Sequence, residues 1–298
     1  MLAYVSCWLK YYFKVEFYVG LLNSWPMGFY TPSQLIQDAR QHNIAVLPVC
    51  VNSSDVDHTM CFHNGKKSIR LGFRQIKGLP VAAAEALVQA RPVGGFIHVD
   101  DIKKLNLHNS SIEALASADA LAAISGNRFQ ARWQIMDTQP TLPLFASSQE
   151  QDLLPLSPTK FDNLVEDYNS TSLSLTQHPI SLIAEQQDLS RFTFANALAE
   201  KSNKSVVHVI GCVTGRQAPG TATGVTFFTL EDHTGNISVV VWQATARHQQ
   251  QPYLKANILQ VDGILERSPE GVMHVIAGKL TDRSDWIEPL KISSRDFQ

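Results

Sequence analysis

Charge is scarce in this chain. Asp, Glu, Lys and Arg make up 17% of its 298 residues and the formal net charge is −2, below the charged share of an average globular protein. A uniformly basic surface or a long charged tail is excluded by that balance. Cysteine is equally sparse. Cys7, Cys50, Cys61 and Cys212 form no C-x-x-C pair, which excludes a disulfide-stapled scaffold and fits reduced thiols in a cytoplasmic protein. No run reaches the roughly 18 uncharged apolar residues of a membrane span. The aromatic N-terminus is interrupted by Lys10, Lys14 and Glu16 before a signal-peptide core can form, so a packed aromatic helix is expected over Tyr4–Leu22 rather than an interfacial membrane helix.

What is present is apolar surface and length. Hydrophobic residues account for 44% of the sequence, enough to bury a core in each of two domains. The clearest local signal is Val225–Trp242, where two β-rich runs flank Glu231-Asp232-His233-Thr234-Gly235-Asn236. That cluster reads as a turn, with Gly235 free to take φ > 0. Alternation places Phe228 and Leu230 on one face of the first run and Phe227 and Thr229 on the other. A lone hairpin is unstable in water, and Ser205–Val213, Asn257–Glu266 and Val272–Leu280 supply further strands. Gln243–Leu254, polar and helix-compatible, lies between the third and fourth strands. Three strands, a helix and two strands is the order of an OB-fold, a small barrel that often takes single-stranded nucleic acid; five strands are few for a sandwich.

The charges that do exist are unevenly placed. From Cys61 to Ile135 there are ten Lys/Arg against five Asp/Glu, and from Met136 to Lys204 four against nine. A basic block followed by an acidic one separates a segment suited to phosphate from one that is not. Inside the basic block, Ile76-Lys77-Gly78-Leu79-Pro80 opens an Ala-rich helix. A Gly-containing turn before a helix start aims backbone N–H groups at an anion, which is the helix-hairpin-helix way of holding a DNA backbone without reading bases. Arg74, Lys77, Gly78 and Leu79 are the expected contacts, against the plainer reading of an αα corner with exposed side chains. Ser111 can cap a helix over Ile112–Leu121, and Gly126 precedes one starting near Asn127, on which Arg128 and Arg132 share a face and either reach phosphate or are solvated.

Asp55-x-Asp57-His58-x-x-Cys61-x-His63 holds metal-compatible side chains but no ligand spacing, so a solvated turn is expected and no metal site is assigned. Asp137–Asp162, with Pro140, Pro143, Pro155 and Pro158, reads as a linker. Within it, Gln139, Leu142, Leu144 and Phe145 form a polar hook with apolar plugs, the look of a short docking peptide; the same apolar residues could instead dock the linker on its own domain.

Taken together these stretches resemble a known family. Ala3–Lys10, Phe17–Ser24, Pro26–Tyr30 with Asp38-Ala39-Arg40, Ile69-Arg70-Leu71-Gly72, Lys77-Gly78-Leu79 and the closing Ser294-Arg295-Asp296-Phe297 are similar, in order, to the C-family of bacterial DNA polymerases. The error-prone branch, related to the DNA polymerase III alpha subunit, is the nearest match and covers essentially the whole chain. The resemblance implies DNA-directed DNA synthesis past damaged bases during induced mutagenesis, in an architecture that ends in tandem helix-hairpin-helix units and an OB-fold. It implies a multidomain α+β chain: a helical remnant of the fingers at 1–60, helix-hairpin-helix at 61–136, a Pro-rich linker and helical segment at 137–204, a five-stranded OB-fold at 205–283 and a tail at 284–298.

The palm carboxylates that hold Mg²⁺ in that family would lie upstream of Met1, so no catalytic residue and no cofactor is assigned here. The chain is expected to be inactive alone, its aromatic N-terminus packing on an absent polymerase core. Implied partners are primer–template and single-stranded template DNA, a sliding clamp held through Gln139–Phe145 in the form Q-x-x-L-x-L-F, and other proteins of a mutagenesis complex. Within the barrel, Arg216 in the first loop, Arg267 and a stacking Phe227 are the expected DNA contacts. Two alternatives stay open: a free-standing DNA- and clamp-binding adaptor, and a tRNA-type OB protein, for which no synthetase motif is present.

Overall fold

The computed structural model describes residues 2–26, 31–136, 158–219, 224–287 and 295–297. Two compact units divide the chain at Leu175/Thr176.

The first unit opens with α1 (Leu2–Tyr12) and α2 (Lys14–Asn23), followed by α3 (Pro32–Gln41). Val15, Tyr18 and Leu22 bury one face of α2. Thr31 starts α3 through a reciprocal capping box with Gln34, and Pro32 occupies the first turn, the Thr-Pro-x-Gln order that opens a helix. Asp38 fastens the three helices: its Oδ2 accepts from Lys10 Nζ at 2.6 Å and from the Tyr18 hydroxyl at 2.5 Å. On α1 the aromatic residues Tyr4, Tyr11 and Tyr12 are exposed.

Next come β1 (Val46–Leu47), β2 (Thr59–His63) and β3 (Lys66–Arg70), a small sheet in the order β1-β3-β2. The hairpin β2–β3 stands where the sequence suggested only a solvated turn. Its signal was Asn64-Gly65, both at positive φ, the pairing that a two-residue hairpin turn requires. The metal-compatible side chains do not converge. His58 is buried and its Nδ1 accepts the Gly72 N–H at 3.0 Å, while Asp57 pairs with Arg74. Among the described residues no three His, Cys, Asp or Glu side chains gather as a metal site.

A short 3₁₀ turn (Phe73–Gln75) leads through residues 76–80 into α4 (Val81–Ala90). Then follow α5 (Val99–Lys103), α6 (Asn109–Ser117), α7 (Ala122–Ser125), α8 (Arg128–Met136) and α9 (Lys160–Thr171). The second helix–turn–helix, α6 to α7, turns at Asp119, φ 56°. Ile69, Phe73, Leu87, Ile102, Leu115 and Leu121 are fully buried in one core with α2 and α3.

The second unit begins with α10 (Pro179–Gln186) and contains the barrel: β4 (Val206–Gln217), β5 (Val225–Glu231), β6 (Asn236–Trp242), β7 (Ile258–Arg267) and β8 (Met273–Asp282). Antiparallel pairings β4–β5, β5–β6, β7–β8 and β4–β7, with β6 parallel to β8, close five strands on themselves. That is the OB topology. Helices α11 (Gln243–His248) and α12 (Gln250–Lys255) fill the predicted helical interval. A further strand, β9 (Arg295–Phe297), runs parallel to β4 at Gly215–Gln217.

Phe228, Leu230, Val239, Val241, Leu259 and Val261 line the interior with no exposed surface, so the predicted facing of Phe228 and Leu230 holds. The turn between β5 and β6 works differently from expectation. Gly235 is absent from the positive-φ residues; the turn is closed by buried Asp232, whose Oδ1 accepts from Thr234 N, Thr234 Oγ1 and Gly235 N at 2.6, 2.6 and 2.9 Å. A carboxylate that satisfies three donors replaces glycine's conformational freedom.

The acidic stretch 137–204, expected to be one linker and helical segment, is divided by its contacts. Helix α9 packs with α6 and belongs to the first unit, whereas α10 packs on β4. The reason lies in side chains the sequence left unassigned: Glu166 and Asp167 of α9 are held by two arginines of α8.

Candidate nucleic-acid interface

The first helix–turn–helix presents an open turn. Gly78 takes φ 78°, a conformation that costs glycine nothing, and a Cβ placed there would meet no atom within 4 Å. Pro80 precedes α4 and supplies no side-chain cap. The backbone N–H groups of Gly78, Leu79, Val81 and Ala82 find no acceptor among the described residues. Backbone amides without a partner at a helix start can take an anion.

The cations around this turn are otherwise engaged. Lys77 Nζ donates to the Tyr168 carbonyl at 2.9 Å, and its own N–H donates to the Ser170 carbonyl at 2.8 Å. Lys77 thus satisfies the C-terminal carbonyls of α9, a favourable place for a cation, and burial lowers its pKa. Arg74 donates to the Asn23 carbonyl (2.7 Å), the Trp25 carbonyl (3.1 Å) and Asp57 (2.8 Å).

Arg128 and Arg132, expected either to reach phosphate or to be solvated, do neither. Arg128 is buried, with Nη2 2.5 Å from Asp167 Oδ1 and Nη1 donating to the carbonyls of Ser117 and Asn163. Arg132 bridges Glu113 (2.6 Å) and Glu166 (2.7 Å) and donates to Ser117 Oγ. The same pattern runs through most of the basic block. Lys67 pairs with Glu16, Lys103 with Asp100 and Lys104 with Asp101, and Arg70 and Arg91 donate to main-chain carbonyls. Lys66, at the tip of the β2–β3 hairpin, is the member of the block whose side chain holds no partner among the described residues. The local excess of positive charge is therefore largely spent on internal acceptors, and the phosphate-directed feature that remains is the main chain around Gly78.

On the barrel the strand register brings together a pair that includes a residue sequence reasoning missed. Phe227 lies opposite Val240, and Val225 opposite Trp242. Opposed residues share a face, so Phe227 and Trp242 stand diagonally on the outer surface of β5–β6, 38% and 51% exposed. Two exposed rings on adjacent strands suit base stacking, which needs no sequence. Trp242 ends the second strand of the β5–β6 hairpin; its parity with Phe227 becomes visible only once the register of β6 is known.

The two barrel arginines act otherwise than expected. Arg216 is not in the loop but in β4, opposite Phe228. Its guanidinium covers the Phe228 ring at 5.4 Å and donates to the Ala256 carbonyl at 2.5 Å. Arg267, at the end of β7, donates to the Ala199 carbonyl at 2.8 Å. The peptide Gln139, Leu142, Leu144 and Phe145 lies outside the described residues.

Comparison with known proteins places these features in context. Residues 43–131 match the family model described as a helix-hairpin-helix motif, and residues 207–283 match an OB-fold nucleic acid binding domain. Over its full length the chain is 54% identical to an error-prone DNA polymerase of Vibrio campbellii and 41% identical to one of Pseudomonas fluorescens; 99% of it aligns at 43% identity with one of Idiomarina loihiensis. In each case the chain spans about 29% of the relative's length.

Proposed function

From a chain that matches the C-terminal portion of the error-prone DNA polymerases throughout its length, we propose that it is the DNA-holding part of such an enzyme and does not itself polymerise. The full-length identity to those relatives carries the reading. The open amides around Gly78 would take the backbone of primer–template DNA, and Phe227 with Trp242 would stack bases of the single-stranded template. Synthesis past damaged bases, a role in DNA repair and mutagenesis, and a cytoplasmic location come with that assignment.

Phosphoryl transfer needs carboxylates that hold Mg²⁺. Among the described residues, the neighbouring carboxylates do not fit that role: Asp57 is paired with Arg74, Asp100 with Lys103 and Asp101 with Lys104, and Asp55 accepts the Val56 N–H. The Mg²⁺ chemistry would be supplied by polypeptide outside this chain. Gln139, Leu142, Leu144 and Phe145 would engage a sliding clamp; titrating a peptide of residues 139–145 against clamp, with Gln139→Ala and Leu144→Ala controls, tests this, and no wild-type binding ends it.

Purified chain should bind labelled primer–template and single-stranded oligonucleotides in fluorescence anisotropy, yet extend no primer with Mg²⁺ and nucleotides present. Extension would refute the inactive reading, and absence of binding to either probe would refute the DNA-holding one. Two substitutions separate the surfaces. Gly78→Asp keeps a residue tolerant of positive φ while setting a carboxylate among the amides, and should weaken duplex binding about tenfold, the worth of one charge-assisted contact. Trp242→Ala should leave duplex binding unchanged and cost single-strand affinity about 1–3 kcal/mol, the range for one stacked base. Equal losses on both probes would show that the two surfaces do not divide the work in this way.

A further inference from the structure

Away from the face of Phe227 and Trp242, the outer side of β7 holds a second polar constellation. Gln260 is buried, and its side-chain oxygen accepts from two guanidiniums, Arg191 Nη2 at 3.2 Å and Arg283 Nε at 3.0 Å. Its amide nitrogen donates to Asp262 Oδ1 at 3.1 Å and Oδ2 at 3.4 Å, which fixes the oxygen toward the arginines. Asp262 is also taken by His208 at 2.9 Å. Each guanidinium rests over an aromatic ring at 4.8 Å, Arg191 over Phe192 and Arg283 over Trp286.

Neither arginine forms an ion pair among the described residues, where other arginines of the chain pair with carboxylates at 2.5–2.8 Å. Asp188 is the carboxylate whose field Arg191 touches, and it is held chiefly by Ser190. Two like charges converging on one neutral oxygen repel each other. Ring stacking and the oriented amide hold them there, with most of their N–H donors unused among the described residues. Planar forks in that state match the oxygens of a phosphate better than a solvated lysine would.

We propose that Arg191, Arg283 and Gln260 form a phosphate-binding site on the barrel, taking a phosphodiester of a nucleic-acid strand. The source of the phosphate rests on the DNA-holding reading; the anion site itself does not. Asp262 and His208 act through Gln260, positioning its amide.

The full chain, labelled with 5-fluorotryptophan, reports on this site through the Trp286 resonance, assigned by its loss in Trp286→Phe. Sodium phosphate, but not sodium chloride at equal ionic strength, should shift that resonance saturably. The Arg191→Gln/Arg283→Gln variant, its fold checked by circular dichroism, should lose the shift, and Arg283→Lys should retain only part of it. For oligo-dT, the slope of log affinity against log salt should become shallower by about 0.7 in the double variant, one phosphate contact on a single strand. A Trp286 resonance that ignores phosphate overturns the site. A phosphate response with an unchanged oligo-dT slope overturns the assignment to a strand. A phosphate response in a chain that binds no oligonucleotide keeps the anion site and sinks the DNA-holding reading instead.

Discussion

Arg128→Ala is expected to lower the unfolding free energy of the first unit by about 3–5 kcal/mol, the cost of removing one partner from a buried ion pair. The cause is local. Arg128 and Asp167 are both largely shielded from water, 2.5 Å apart, and the same guanidinium lies near Asp119, whose carboxyl is pushed up by burial and held back in part by Arg128. Without the arginine, Asp167 and Asp119 face each other uncompensated, and the carbonyls of Ser117 and Asn163 lose a donor. Urea unfolding read by amide exchange in α8 and α9 measures the loss. Arg128→Met with Asp167→Leu should recover most of it, since two apolar groups leave no charge stranded. In Arg128→Ala, under conditions where it is folded, the salt slope of DNA binding should match the wild-type value, because this arginine is not available to phosphate. A stability change below about 1 kcal/mol, the range of surface pairs, would contradict the buried network.

Acidification should produce the second large effect, through His58. Burial, helped by the charge of Arg74, lowers its pKa from 6.5 to about 4, and its Nδ1 must stay unprotonated to accept the Gly72 N–H. Below pH 6.5 the unfolded chain binds a proton that the folded chain refuses until about pH 4. The unfolded state therefore gains as pH falls through that window, and stability is greatest above it. Fully developed, the difference is on the order of 3 kcal/mol. Urea midpoints taken at intervals from pH 7 to pH 4 should fall in the wild type and fall less in His58→Asn, which cannot titrate. An imidazole that titrates near its ordinary value in nuclear magnetic resonance would remove the basis for this expectation.

Both effects concern residues whose importance the linear sequence hides. His58 sits in a stretch of metal-compatible side chains, and only its burial against Gly72 shows it to be a hydrogen-bond acceptor in a core. Arg128 and Arg132 share a helix face, as their spacing dictates, but spacing alone does not say what meets that face. Two of their carboxylate partners, Asp167 and Glu166, lie on α9, more than thirty residues away across the Pro-rich stretch. A count of charges over Cys61–Ile135 treats every Lys and Arg as available. The structure assigns most of them to carbonyls and carboxylates within the same unit, which moves the phosphate-directed chemistry from side chains to the main chain at Gly78.

What the sequence determined by itself was the local order: the helix start at Thr31-Pro32, the Gly78 turn before an Ala-rich helix, and the strand–strand–strand–helix–strand–strand pattern of the barrel. Alternation also placed Phe228 and Leu230 inside and Phe227 outside. These follow from interactions within a few residues, or from a period of two, which a linear reading can see. Tertiary structure alone decided which charges are spent and which surface is offered. It turned Arg216 onto the Phe228 ring, set Trp242 beside Phe227 through the register of β5 and β6, and brought Arg191 and Arg283 to one oxygen of Gln260. Each of those outcomes depends on partners distant in sequence, and a charged or aromatic side chain carries no local mark of whether its partner is protein or ligand.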